Sequence, residues 1–400
     1  MTLWPAEFRV DRRSWLMHTA LAATALAGGV PRPLWGEAGT RKRLITRQES
    51  PFNGEPPLDQ LAHAWLTPWE LFFVRSHGAI PQLDPQTYRL EIQGLVERPG
   101  SFSLAELRDR FRFTTVFATL TCAGNRRDEF SAEQPIAGLQ WNAGAIGHAQ
   151  WGGIRLADVL RAAGLKPEAQ YVWFEGADEI DDPLRHASAP FGGSLSLEKA
   201  LADTPATPGA LLAWQMQQQP LTSEHGAPLR LVVPGYIGAR SVKWLQRIVV
   251  SAQPSPNRFV ARDYKLLYSG TDEEISSTGP ILEYLLNSAI AFPVPGARLQ
   301  GDRVLARGYA LAGGQPGCQI AQVEVSSDGG QSWRTAQLTS PRREFSWVTW
   351  SSTLPLTPGP NTLLVRATDS TGQTQPEHAR WNVKGYQNNG WHRITVIREA

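Results

Sequence analysis

Apolar and polar positions alternate in two different textures along this chain. Up to about residue 290 the apolar runs are unevenly spaced and of mixed kind. Residues 88–93 alternate and read as a strand, whereas 104–111, preceded by Ser103 with Glu106 three positions on, read as a capped helix. Residues 116–120, 171–175, 210–216, 229–233 and the end of 243–250 read as buried strands. Residues 155–163, stopped by Gly164, and 197–201 read as short helices. Residues 67–70 are expected to form a short turn leading into a buried strand over 71–74, with Arg75, Ser76 and His77 at its end. Strands and helices do not alternate regularly as in a doubly wound sheet, so an α+β domain is expected.

From about Leu299 the texture changes. Strand-like runs at 304–309, 319–325, 333–338, 345–350, 361–368 and 380–383 follow one another at short intervals. Ser327-Asp-Gly-Gly330 supplies a hairpin signal. That spacing predicts an immunoglobulin-like β-sandwich. Residues 292–296, with two prolines, read as the linker. The expected organisation is residues 1–36, then a catalytic domain over 37–288 and a sandwich over 289–400. A length of 400 residues agrees with more than one core.

The first segment carries Arg12-Arg13 ahead of an apolar stretch over 18–30 that is free of acids and too short to span a bilayer. It reads as an export signal of twin-arginine type, and so predicts a folded, periplasmic protein with no stable membrane span; a plain N-terminal arm is the other reading.

Composition narrows the chemistry. A net charge of +2 gives no reason to propose nucleic acid as a partner. The two cysteines, Cys122 and Cys318, fall in different predicted domains, so no disulfide framework is expected. Four clusters in the first domain sit at strand ends or turns: Arg75/His77, Cys122/Arg126/Arg127, His225/Arg230 and Arg240/Ser241/Lys243. Together they suggest a convergent anion site, because buried cations need anionic partners. Cys122 beside arginines reads either as a core thiol or as a stabilised thiolate. A lone thiolate in such a pocket suits a metal whose other ligands come from an organic cofactor. No Gly-rich nucleotide cradle, multi-Cys metal site or Cys-x-x-Cys-His haem motif accompanies it. Cys318 is expected in the sandwich core, Trp333, Trp347 and Trp350 in core or interface, and the acidic run 178–182, apart from Asp178, in a solvated loop.

Thr121-Cys-Ala-Gly-Asn-Arg-Arg127, Phe72-Phe-Val-Arg-Ser-His77, Glu224-His-Gly-Ala-Pro-Leu-Arg230, Val233-Pro-Gly-Tyr-Ile-Gly-Ala-Arg-Ser-Val-Lys-Trp244 and Arg262-Asp-Tyr-Lys265 closely resemble the sulfite oxidase family of molybdopterin enzymes. The resemblance spans roughly residues 48–400 and includes the sandwich, which is similar to the family's dimerisation domain. It implies Cys122 as the thiolate on molybdenum. It implies Phe73, His77, Asp178, His225, Arg230, Arg240, Ser241 and Lys243 around the pterin and its phosphate. Arg75, Arg127, Trp141 and Tyr264 would form the substrate pocket, with Lys384 where animal members have a third pocket arginine. The implied reaction oxidises sulfite to sulfate and returns electrons one at a time. With no haem segment recognised in this chain, a separate c-type cytochrome is the expected acceptor. A sulfane dehydrogenase, or a reductase of another oxyanion or sulfoxide on the same cofactor, is the alternative; a non-catalytic anion-binding subunit would have no use for Cys122. Two positions depart from the family pattern. Its Arg-Asn-His reads Arg75-Ser-His77 here, and Lys384 keeps a charge without the bidentate fork.

Overall fold

The computed structural model describes residues 43–182, 187–203 and 209–399. The expected export signal over 1–36 lies outside the described residues. The described residues form an α+β domain followed by an immunoglobulin-like sandwich, within one compact unit. Among them no helix is long and apolar enough to cross a membrane.

Two five-stranded sheets build the first domain, beside a two-stranded antiparallel ribbon of Ile45–Gln48 and Asn53–Glu55. One is antiparallel, in the order Gln219–Pro220, Leu211–Met216, Ile146–Arg155 and Phe113–Thr121, with Arg230–Val232 also paired to Leu211–Met216. The other runs Gly100–Ser103, Arg89–Gly94, Leu245–Ser251, Tyr171–Asp182 and Ala187–Ser196, with Arg89–Gly94 and Leu245–Ser251 parallel. The helix Leu104–Arg110 starts at the expected capping box: the Ser103 hydroxyl accepts from the Glu106 amide at 3.2 Å, and the Glu106 carboxylate accepts from the Ser103 amide at 2.8 Å. The helix Leu156–Ala163 ends at Gly164, whose φ of +71° suits a residue without a Cβ.

Two local expectations are corrected, and one strand had no expectation at all. Residues 71–74 do not make a strand. Trp69–Leu71 is a 3₁₀ turn, and Val74 then makes a single bridge, exchanging backbone hydrogen bonds of 3.0 and 2.8 Å with Gly54. The run is apolar because all four side chains are buried, not because its backbone joins a sheet. The acidic run 178–182 is not a loop but the end of the strand Tyr171–Asp182, paired with Ala187–Ser196. The long strand Ile146–Arg155 has no alternation to betray it, since nearly every residue is buried on both faces.

The sandwich stacks Asn287–Phe292, Arg303–Leu311, Val348–Pro355 and Gln337–Leu338 against Arg298–Leu299, His392–Arg398, Gly359–Asp369, Ile320–Ser326 and Arg334–Thr335. The expected linker at 292–296 is a turn inside the sandwich, because Asn287–Phe292 is already a sandwich strand across the expected 288/289 boundary. Residues 380–383 form a loop rather than a strand, and the run at 333–338 splits into two short strands. Cys318 and Trp350 lie in the sandwich core, and Trp333 packs edge-on against Trp391. Trp347 belongs to the junction between the domains: it and Trp65 each donate an indole N–H to the other's backbone carbonyl, at 2.7 and 3.1 Å.

Candidate active site

Strand Phe113–Thr121 delivers Cys122 to the edge of an apolar cluster that includes Phe72, Phe73, Leu120, Trp141 and Trp151. The Cys122 amide donates to the Ala145 carbonyl at 2.9 Å and its carbonyl accepts from the Asn125 amide at 3.0 Å, which turns the chain sharply. The thiol is buried and unpaired. It forms part of the wall shared by two spaces. One is a pocket of about 690 Å³ lined by Phe73, His77, Asp178, His225, Arg230, Ser241 and Lys243. The other is a wider funnel of about 1420 Å³ lined by Arg127, Trp141 and Lys384. Arg75 and Tyr264 face both spaces.

The inner pocket is rich in desolvated cations that are bonded to neutral groups. Lys243 Nζ donates to the Ser76 hydroxyl at 3.0 Å and the Glu224 carbonyl at 2.8 Å. Burial, with repulsion from Arg230, holds its pKa well below the usual lysine range. Arg230 donates to the His225 and Ser241 carbonyls at 2.9 and 3.0 Å, and burial lowers it to about 9. His225 faces the Trp69 carbonyl at 3.1 Å and is lowered to about 3 by burial first, then by Lys243. His77 is held neutral by burial and by Arg75, Lys243 and Arg258; its ring stacks on Phe191 at 4.7 Å. Such groups favour their charged forms once an anion enters.

Asp178 is the acidic member. A register shift between Glu175 and Glu179 turns it out of the ladder into the pocket. Burial raises its pKa to about 6, and its Oδ1 is buried without a hydrogen-bond partner. An orphaned carboxylate oxygen beside a row of cations is the complement of a pterin ring with its amide donors and its phosphate tail. Among the described residues no three His, Cys, Asp or Glu side chains group to hold an ion. A metal held by Cys122 would need further ligands from a cofactor or solvent. The residues present fit the implied group.

Arg240 stands apart. Its guanidinium lines neither space and is spent on the Ile281, Phe259 and Tyr264 carbonyls at 2.9, 3.1 and 3.4 Å. It holds the Tyr264 backbone in place. Arg126, grouped by sequence with the anion-site cations, also points elsewhere. Fully buried at φ +66°, it pairs with both Glu129 oxygens at 2.6 and 2.7 Å and donates to the Gly390 carbonyl at 2.8 Å in the sandwich.

Comparisons with known proteins agree with this geometry. An "oxidoreductase molybdopterin binding domain" model matches residues 77–259, and a "Mo-co oxidoreductase dimerisation domain" model matches 279–399. The chain is 41% identical to sulfite oxidase of Gallus gallus over 374 residues, covering 90% of this chain and 79% of that protein. It is 37% identical to mitochondrial sulfite oxidase of Drosophila melanogaster over 382 residues, covering 90% of this chain but only 65% of that one. The chain belongs to the sulfite oxidase family. It is a molybdopterin-dependent oxidoreductase. The sulfane dehydrogenase SoxCD from Paracoccus pantotrophus superposes with a TM-score of 0.75 at 27% identity, covering 96% of this chain and 95% of that one.

Several residues of this family member's site escaped the sequence reading. Ser76 and Asn53 form one unit: the Asn53 side chain accepts from the Ser76 amide at 2.8 Å and donates to its carbonyl at 3.1 Å, fixing the loop that carries Arg75 and His77. Asn53 sits in a turn-rich stretch with no motif around it. Glu224, Trp244 and Phe191 also line the inner pocket, and Tyr386 lines the funnel. Tyr386 was within reach, two positions beyond Lys384. Three glycines make room for Arg127: a Cβ on Gly124, Gly138 or Gly385 would fall 2.7, 2.9 or 2.7 Å from its side chain.

Proposed function

We propose that this oxidoreductase converts sulfite to sulfate, taking an oxygen atom from water and releasing two protons and two electrons. The observation that carries the reading is the place of Cys122, in a wall common to the cation-rich inner pocket and a funnel lined by Arg75, Arg127 and Lys384. Molybdenum, when bound, supplies the two-electron redox chemistry and the site of oxygen transfer. The chain's own groups do the rest. Arg75, Arg127 and Lys384 draw a small dianion into the funnel and stabilise the charge that develops on its oxygens. Trp141, fully buried, closes one wall against water. Tyr264, hydrogen-bonded at 2.9 Å to His77, stands at the junction of the two spaces with its pKa raised by burial, so it remains a neutral phenol.

Electrons would leave singly to a separate c-type cytochrome, and the protein would act in the periplasm. That placement rests on the twin-arginine-like residues 1–36. The matched dimerisation domain supports a homodimer through the sandwich. Sulfane dehydrogenation is the second reading, favoured by the likeness to SoxCD along nearly the whole chain and by Lys384 in place of a forked arginine. The test is turnover by metal-loaded protein of sulfite, thiosulfate, nitrate and sulfoxides against cytochrome c and artificial acceptors. Cytochrome c reduction with sulfite alone is expected; turnover of another substrate without sulfite oxidation overturns the reading.

A further inference from the structure

We propose that Tyr386 is a substrate-binding residue of this site, its phenol donating a hydrogen bond to an oxygen of the tetrahedral oxyanion held in the funnel. This deepens the sulfite reading and rests on it. Tyr386 lies on the loop between the sandwich strands Gly359–Asp369 and His392–Arg398, so the second domain supplies it. The Asn382 side chain pins its backbone, accepting from the Tyr386 amide at 3.0 Å and donating to its carbonyl at 2.8 Å. The ring is sandwiched: Tyr264 stacks on it with centroids 5.4 Å apart and planes 14° from parallel, and the Arg127 guanidinium lies over it at 5.1 Å. It lines the funnel with Cys122, Arg75 and Arg127.

The two phenols differ in what their hydroxyls do. The Tyr264 hydroxyl is engaged with His77 Nε2, and in one of the two imidazole tautomers that nitrogen takes its proton. The Tyr386 hydroxyl has no hydrogen-bond partner among the described residues, so its proton is available in either case. Burial raises the Tyr386 pKa, so the phenol keeps its proton, and the residue shares the funnel wall with Arg75, Cys122 and Arg127. A half-buried donor in a funnel that carries Arg75, Arg127 and Lys384, with no acceptor for it among the described residues, is completed by an anion.

The test compares wild type, Tyr386→Phe and Tyr386→Leu as cofactor-loaded enzymes, by calorimetric binding of sulfate and by steady-state sulfite kinetics. Tyr386→Phe keeps the ring under Arg127 and beside Tyr264, so a purely structural role predicts no change. The proposal predicts about a tenfold rise in the sulfate Kd and in KM for sulfite, with kcat within about twofold of wild type, the effect of one lost hydrogen bond to a charged group. Tyr386→Leu, which also removes the stack, should weaken both further. The same sulfate affinity in wild type and Tyr386→Phe, undetectable binding by both included, overturns it. The two failures are separable: absent sulfite turnover by wild type sinks the functional reading, and equal sulfate affinities sink this one.

Discussion

Arg127 Nε donates to the backbone carbonyl of Lys384 at 3.0 Å, so a hydrogen bond between the two domains ties together the wall of the funnel. A second bond, from Arg127 Nη1 to the Leu139 carbonyl at 3.0 Å, and the Tyr386 ring fix the guanidinium from two further sides. The arginine is therefore held in place before an anion arrives, which lowers the ordering cost of binding.

That arrangement depends on glycines. Gly138 sits at φ +104°, and a Cβ there would lie 2.9 Å from Arg127 Nη1. Gly138→Ala should cost about 1–3 kcal/mol of stability from the backbone alone and raise KM for sulfite by displacing the fork. Gly296→Ala is the control, with φ +77° but no atom near the new methyl. It should lower the thermal midpoint and leave KM unchanged.

Cys122→Ala should leave a folded protein, since the thiol makes no bond the fold needs, while molybdenum per protein and sulfite turnover fall to background. Metal analysis beside a thermal melt checks both. Full activity in the variant would remove the thiolate from the metal site.

Lys384→Arg restores the fork at that wall of the funnel. A bidentate guanidinium binds a tetrahedral oxyanion better than a point charge, and KM for sulfite should fall by about three- to tenfold. An unchanged KM, or a gain for thiosulfate alone, would favour the sulfane reading.

Arg126 predicts the opposite pattern from Arg127. Arg126→Met removes the guanidinium that joins Glu129 to the sandwich. Glu129 is about a third exposed and can turn to water, and the Gly390 carbonyl keeps its bond from Gln375, so the cost should be about 1–3 kcal/mol, typical of lost hydrogen bonds to a charged group. The thermal midpoint falls, while KM of the remaining folded enzyme stays near that of wild type.

Asp178 gives a pH signature in cofactor-free protein. Its pKa of about 6 in the fold lies above the usual 3.8, so between those values the native state binds more protons than the unfolded state, and stability falls as pH rises. The full penalty, about 3 kcal/mol for a gap of that width, is present above pH 6 and absent below about 4. Asp178→Asn should therefore raise the melting temperature of the apo-protein at pH 7–8, leave it unchanged near pH 4, and weaken cofactor retention.

Much of this molecule is decided by neighbours in the chain. The capping box at Ser103 and Glu106, the stop at Gly164 and the alternation in Arg89–Gly94 act through groups within a few residues, so they are readable from the chain alone. The five motifs likewise name the family, because cofactor chemistry demands particular side chains in a particular order. What tertiary structure alone decided concerns groups whose partners are far away in sequence. Arg126 and Arg127 are adjacent and chemically identical, yet the left-handed turn at Arg126 sends one into a clamp with Glu129 and Gly390 and the other into the funnel. The buried run at 71–74 mimics a strand because burial, not pairing, sets its composition. Ile146–Arg155 hides because both its faces are covered. Cys122 shows both sides: local residues mark it as a thiol beside arginines, and only tertiary packing sets it in a wall common to the inner pocket and the funnel.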